Sequence, residues 1–117
     1  MTTSTPITTS SFPSLARLAV YSKALRCAAL LHAIRCRETL RSQLVRAMDS
    51  VVLNLAEGAC DATRAQKARY FGISRASLFE VAAAIDLIRI ARPSDRFDDI
   101  ANAISEMDRM LRALTRP

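Results

Sequence analysis

A chain of 117 residues with 17 Lys plus Arg against 11 Asp plus Glu, net charge +6, is sized for one domain with one hydrophobic core. Half of its residues are hydrophobic, which excludes a disordered polypeptide. Two Gly and four Pro, with no Pro between Pro13 and Pro93, exclude turn-rich sandwiches and barrels, and no GxGxxG, P-loop or zinc-finger spacing is present.

What remains is an all-α chain. Its first 13 residues, MTTSTPITTSSFP, hold no charged side chain and no apolar run. They lack the basic start and hydrophobic middle of a secretory signal, and read as a disordered N-terminal tail ahead of a helical domain over 14–117. No stretch approaches ~18 uncharged apolar residues, so no membrane span is expected. Cys27, Cys36 and Cys60 are odd in number and without CxxC spacing. That usage fits reduced thiols and a cytoplasmic location.

Helix one is predicted to begin near Ser14. Its apolar lines Leu18, Tyr21, Leu25, Ala28 and Ala24, Cys27, Leu31, Ile34 step with helical period. Helix two runs from Thr39 or Leu40 to Glu57 on the line Leu44, Met48, Val51, Leu55, widened by Val45 and Val52. Gly58 is expected to end it as a left-handed residue. Between the two helices, Cys36-Arg37-Glu38-Thr39 contains neither Gly nor Pro, so the turn is tight or the break lies elsewhere.

Helix three opens on Thr63-Arg64-Ala65-Gln66, a capping-box pattern, and buries Phe71, Leu78, Val81, Ile85 and Ile88 before Pro93 stops it. Gly72 inside it costs about 1 kcal/mol relative to Ala, which a bend or a close helix contact would explain. Helix four starts at Ser94 and Asp95 and follows Phe97, Ile100, Ile104, Met107, Leu111 and Leu114. Its early Asp residues and late Arg residues follow the helix dipole. Four helices with short connections predict an up-and-down antiparallel four-helix bundle.

Leu30, Leu53, Ile73, Leu87 and Ile90 fall off these core lines. Single surface leucines are ordinary, but so many in a small bundle point to a homo-oligomer interface.

Two segments carry a resemblance. Residues 40–58, LRSQLVRAMDSVVLNLAEG, and 69–80, RYFGISRASLFE, present Leu40, Ser42, Gln43 and Leu44, then Asn54, Leu55, Ala56, Glu57 and Gly58, then Ala76, Ser77 and Glu80. Together with the Tyr21-x-Lys23-Ala24 opening of helix one, this pattern resembles the bacterial four-helix-bundle family of 23S rRNA intervening-sequence proteins. Ala76 stands where the family usually has Gly, and the family's longer Phe-Pro turn between helices one and two is missing. The resemblance implies an up-and-down bundle assembling as a ring, including homopentamers, with no enzymatic activity attached. It also implies a distant relation to the accessory variability protein of diversity-generating retroelements, which engages reverse transcriptase and nucleic acid. From the residues themselves, Asn54 and Ser77 sit at the edges of their core faces, where an amide and a hydroxyl would fix a helix crossing. Glu57 and Glu80 would pair with Arg64 or Lys67 near the turn. A polar binding site around Asn54 and Glu57 is the functional alternative.

Catalytic and metal chemistry is poorly supplied. His32 is the one histidine. With Cys36 at i+4 it offers two ligands, which do not make a metal site, so no metal or other cofactor is expected and a satisfied core histidine is the better reading. Arg26 and His32 resemble the Arg-x(4–6)-His motif of HEPN-type ribonucleases, with His32 as base and Arg26 at the phosphate. On a straight helix, however, they diverge by roughly 120°.

Residues 14–39 carry five positive charges against one negative and residues 59–93 six against three, whereas 40–58 balance and 94–117 have four against five. The excess lies with Lys23, Arg26, Arg37, Arg64, Lys67, Arg69 and Arg75, and fifteen of the 17 cations are Arg. Such a line, repeated around a ring, would attract phosphate backbones, although a solvated basic face explains it equally. Aromatic residues are 5% and Trp is absent, so single-strand stacking is disfavoured and structured RNA is the expected nucleic acid. The rival reading is an adaptor that docks an acidic protein partner.

Overall fold

The computed structural model describes residues 9–60 and 63–116. Within them the chain is all-helical, in five segments: α1 (Pro13–Ala16), α2 (Ala19–Leu31), α3 (Glu38–Ala59), α4 (Arg64–Ala91) and α5 (Asp98–Leu114). The first eight residues of the expected tail lie outside the described residues. Pro13 belongs to α1, at the helix position where its missing N–H costs nothing.

The long helices pack side by side, α3 on α4 most extensively, α5 on α4 and α2, and α2 on α3. Their shared core is drawn from the predicted lines: Tyr21, Ala24, Cys27 and Leu31 of α2, Leu44, Met48, Val51 and Leu55 of α3, Phe71, Leu78, Val81, Ile85 and Ile88 of α4, and Met107 and Leu111 of α5. Two members expected there are largely outside it: Val45 is 40% exposed and Leu114 39%.

Four boundaries differ from expectation. Helix one is broken at Leu18, whose extended backbone (φ −85°, ψ 105°) starts α2 afresh and lets both Leu15 and Leu18 lie against the core. α2 then ends at Leu31, short of Ile34, because Arg41 from the first turn of α3 donates to the carbonyl of Leu31 at 2.9 Å and to that of Ile34. One guanidinium thus satisfies carbonyls that a longer helix would have used itself.

The third change concerns Gly58. It is not left-handed; among the described residues no backbone has positive φ. It is helical and buried, and a methyl carbon placed on it would lie 2.5 Å from Cε1 of Phe71. Its role is close approach between α3 and α4. α3 is instead finished by Lys67, whose Nζ donates to the carbonyls of Gly58 (2.8 Å) and Cys60 (3.0 Å). Gly72, the other glycine, faces open space, so no tight helix contact requires it.

Fourth, α5 begins at Asp98. Ser94 and Asp95 form the preceding turn, where Asp95 accepts from Nε of Arg92. The capping box of α4 forms as the sequence predicts: Thr63 Oγ1 accepts from the Gln66 N–H (3.2 Å) and Gln66 Oε1 from the Thr63 N–H (2.9 Å).

Candidate functional site

The motif residues of α3 and α4 converge on the seam between these helices. Ser50, one turn before Asn54, joins them: its hydroxyl lies 2.7 Å from Ser77 Oγ and accepts from the Asn54 amide at 3.2 Å, while the same amide donates to the Ser50 carbonyl at 2.9 Å. Asn54 and Ser77 therefore meet through Ser50. A second hydroxyl, Ser74, is fully buried and donates to the Val51 carbonyl at 2.8 Å. Without such partners each buried hydroxyl would cost about 1–3 kcal/mol. Sequence reading missed Ser50; its signal was the i, i+4 spacing to Asn54 and its position opposite the serines of α4.

Glu57 and Glu80 are both exposed. Neither pairs with Arg64 or Lys67 among the described residues, since the Lys67 ammonium is taken by the end of α3. Glu80 instead lines a cleft with Arg37 and Gln43. The bonds from Ser50 to Ser77 and from Ser74 to Val51 tie α3 to α4 across their crossing.

The predicted basic residues divide into three kinds. Lys23 is bound to Glu106 at 2.7 Å across α2 and α5, and Arg75 to Asp108 at 2.7 Å, with its guanidinium also 5.0 Å from the Phe79 ring. Lys67 is a cap. Arg26, Arg37, Arg64 and Arg69 are exposed and have no carboxylate partner among the described residues. These four do not form one line. Arg64 and Arg69 stand at the start of α4, while Arg37 stands at the start of α3, so the length of a 22-residue helix, roughly 33 Å, separates them. At the Arg37 end, two arginines not singled out from sequence, Arg35 and Arg92, line the same cleft as Arg37. The sequence signal for them was position: Arg35 lies in the break after α2 and Arg92 follows the last turn of α4.

The predicted interface residues also separate. Ile73, Leu87 and Ile90 are 38%, 49% and 78% exposed, and with the exposed Ala76, Glu80 and Ala83 they form a stripe on α4 spaced 3, 4, 3, 4 and 3 residues apart. That is the spacing of a coiled-coil seam, here without a partner helix. Leu53 is exposed on α3, whereas Leu30 packs partly against the core. Phe79, 53% exposed, is a further apolar side chain beside this stripe.

His32 is exposed at the end of α2, not in the core, and Cys36 lies beyond that helix, so the i, i+4 relation that would aim both at one ion is lost. Among the described residues no three His, Cys, Asp or Glu side chains are grouped to hold a metal. Arg26 lies two turns earlier on α2, in a cleft with Glu106 and Asp99. Among the described residues, two groups depart from ordinary acidity. Burial pushes the Cys27 thiol up to about 12. The Lys23 hydrogen bond and charge hold the Glu106 carboxyl below the usual carboxylate range.

The family model described as 23S rRNA-intervening sequence protein matches residues 16–113, which takes in α2, α3, α4 and all but the last residue of α5. The chain belongs to that family. No curated protein and no solved structure matches it. Among the described residues of this family member, no helix is long and apolar enough to cross a membrane.

Proposed function

We propose that this chain is a non-enzymatic, cytoplasmic scaffold: an up-and-down bundle of α2, α3, α4 and α5 that assembles into a homo-oligomeric ring, five copies being the expected number, and holds structured RNA on its arginine-rich surfaces. The observation that carries the RNA reading is the set of exposed arginines, Arg26, Arg37, Arg64 and Arg69, that no described carboxylate neutralises in a chain of net charge +6. Guanidinium groups make bidentate phosphate contacts, and a ring multiplies them. Assembly is supported by the unpartnered α4 stripe from Ile73 to Ile90. An apolar stripe of that length, interrupted by Glu80 alone, is costly to leave in water, and in a ring it would pack against a different face of the next copy.

The test is binding of the purified protein to a labelled fragment of structured rRNA between about 50 and 200 mM salt. Micromolar affinity with a log–log salt slope steeper than about −3 is expected, because several phosphates are neutralised at once. Light scattering on the same sample reads the assembly, and Leu87→Glu with Ile90→Glu should reduce it to monomer. A ring that binds no RNA at the lowest salt would overturn the RNA reading in favour of the acidic-protein adaptor. A monomer would overturn the assembly.

A further inference from the structure

Where α2, α3 and α4 meet at one end of the molecule, a cleft of about 350 Å³ opens between the 32–37 connection and the last turn of α4. It is lined by Arg35, Arg37 and Arg92 together with Cys36, Leu40, Ile88 and Ala91. No carboxylate lines it. The neighbouring clefts do carry carboxylates: Arg35 also borders one with Asp95, Asp98 and Asp99, Arg92 one with Asp86, Asp95 and Asp98, and Arg37 one with Glu80.

Three like charges around one recess repel unless an anion or water screens them, and the repulsion grows in a partly enclosed site. The fold nevertheless holds them there. Arg41 ties down the connection that carries Arg35 through the carbonyls of Leu31 and Ile34. Asp95 binds Arg92 through Nε, which leaves both of its Nη groups available and sets the direction of the fork. Arg37 donates its own Nε to Thr39 Oγ1 at 3.2 Å. Arg37 is also the residue before α3 and its side chain does not accept from that helix, so the first-turn N–H groups of a 22-residue helix meet no side-chain cap. Helix dipole and guanidinium charges thus have the same sign at the same place.

The bound group follows from charge and size. The cleft lining holds three cations and no anion, with Asp95, the partner of Arg92, beside it; this favours the −1.5 to −2 of a phosphate monoester, about twice the charge of an internal phosphodiester. A volume of about 350 Å³ lies at the small end of the range for organic ligands, roughly 300–1,000 Å³, and is more than a bare phosphate fills. Ala91, which is exposed, and the edge of Leu40, which is 7% exposed, offer apolar contact to whatever carries the phosphate. We infer that the cleft of Arg35, Arg37 and Arg92 is a binding site for a terminal phosphate monoester on a nucleoside. The ligand is the phosphorylated end of an RNA chain, or a free mononucleotide of the same chemistry. The RNA-end source rests on the RNA reading above; the mononucleotide source does not.

The experiment compares a 5′-phosphorylated octaadenylate with its 5′-hydroxyl counterpart by fluorescence anisotropy at about 50 mM salt. In parallel, alkylation of Cys36 is followed by peptide mass spectrometry with AMP or with adenosine added. Cys60, exposed and remote, is the internal control, and Cys27 is buried. The phosphorylated oligomer should bind about tenfold tighter, AMP but not adenosine should slow Cys36 alkylation, and Arg35→Gln should abolish both effects at unchanged Tm. Arg35→Lys, which keeps the charge but not the fork, should retain only part of the preference. Protection by AMP without preference between the oligomers would support the cleft and assign it to free mononucleotide. Equal oligomer affinities with no AMP protection would overturn it, even if structured rRNA binds with a steep salt slope and the RNA reading stands. Protection by AMP with no binding of structured rRNA would leave the cleft in place and remove the RNA reading.

Discussion

The seam between α3 and α4 and the seam between α2 and α5 join similar helices by different means. The α3–α4 seam is close and specific: Gly58 admits the Phe71 ring, Ser74 reaches the Val51 carbonyl, and Ser50 links Asn54 to Ser77. The α2–α5 seam has Lys23 bound to Glu106 at the surface beside an open cleft of about 280 Å³, with Cys27 sealed beneath α2. Hydroxyl-to-carbonyl bonds and a missing side chain permit one register only, because a shift of a single residue strands a buried donor. An exposed ion pair on long side chains tolerates displacement and contributes little. The first seam sets the geometry of the molecule, and the second closes it.

The sharpest attack on this contrast is Gly58→Val. Forcing side-chain carbons against Phe71 should cost about 3 kcal/mol, near the top of the usual overpacking range, seen as a lower urea midpoint at unchanged m. Pairing Gly58→Ala with Phe71→Leu should recover part of the loss of the single Gly58→Ala change, and no recovery would remove close approach as the role of Gly58.

Next in size is an alkaline effect on the α2 side. The Cys27 thiol is raised in the folded protein from 9.0 to about 12, so its contribution is complete below pH 9 and lost as pH rises toward 12. Stability should fall as pH rises through that window, and Cys27→Ala should flatten the slope.

A smaller change is expected from Asn54→Ala, about 1 kcal/mol, since it removes two hydrogen bonds to a half-buried Ser50. Ser50→Ala should match it and the double variant should not add, which a double-mutant cycle measures. Melting curves that show neither an effect nor coupling would dismiss the network as a register device. The least effect belongs to Glu106→Gln: a slight fall in Tm at neutral pH that disappears at high salt. Because the folded carboxyl is held below its ordinary range, the difference from wild type should also vanish as pH falls through that range.

Much of the fold was legible because apolar periodicity survives without tertiary knowledge. The lines through Val51, Val81 and Met107 led to the buried faces of α3, α4 and α5, and Thr63 and Gln66 marked a helix start that depends on four consecutive residues. The errors lie where a distant group intervenes. Nothing in Leu31–Ile34 announces a helix end; the guanidinium of Arg41 makes one. Gly58 reads as a terminator until Phe71, thirteen positions on, is seen against it. Among the basic residues singled out from sequence, Lys23, Arg26, Arg37, Arg64, Lys67, Arg69 and Arg75, the structure gives Lys23 and Arg75 carboxylate partners and Lys67 a helix end to cap. Charge can be counted along a chain, but its partners and its neighbours across a turn cannot.

By itself, the sequence determined the helical class, four of the long amphipathic faces, the capping box of α4 and the family pattern in α3 and α4, because each of these depends on spacing within one segment. The tertiary structure alone decided which arginines are spent on carboxylates and helix ends and which stand together around a cleft, because that depends on which segments meet. It likewise decided that the stripe from Ile73 to Ile90 faces outward, since a helix with two apolar sides does not specify which one its neighbours cover.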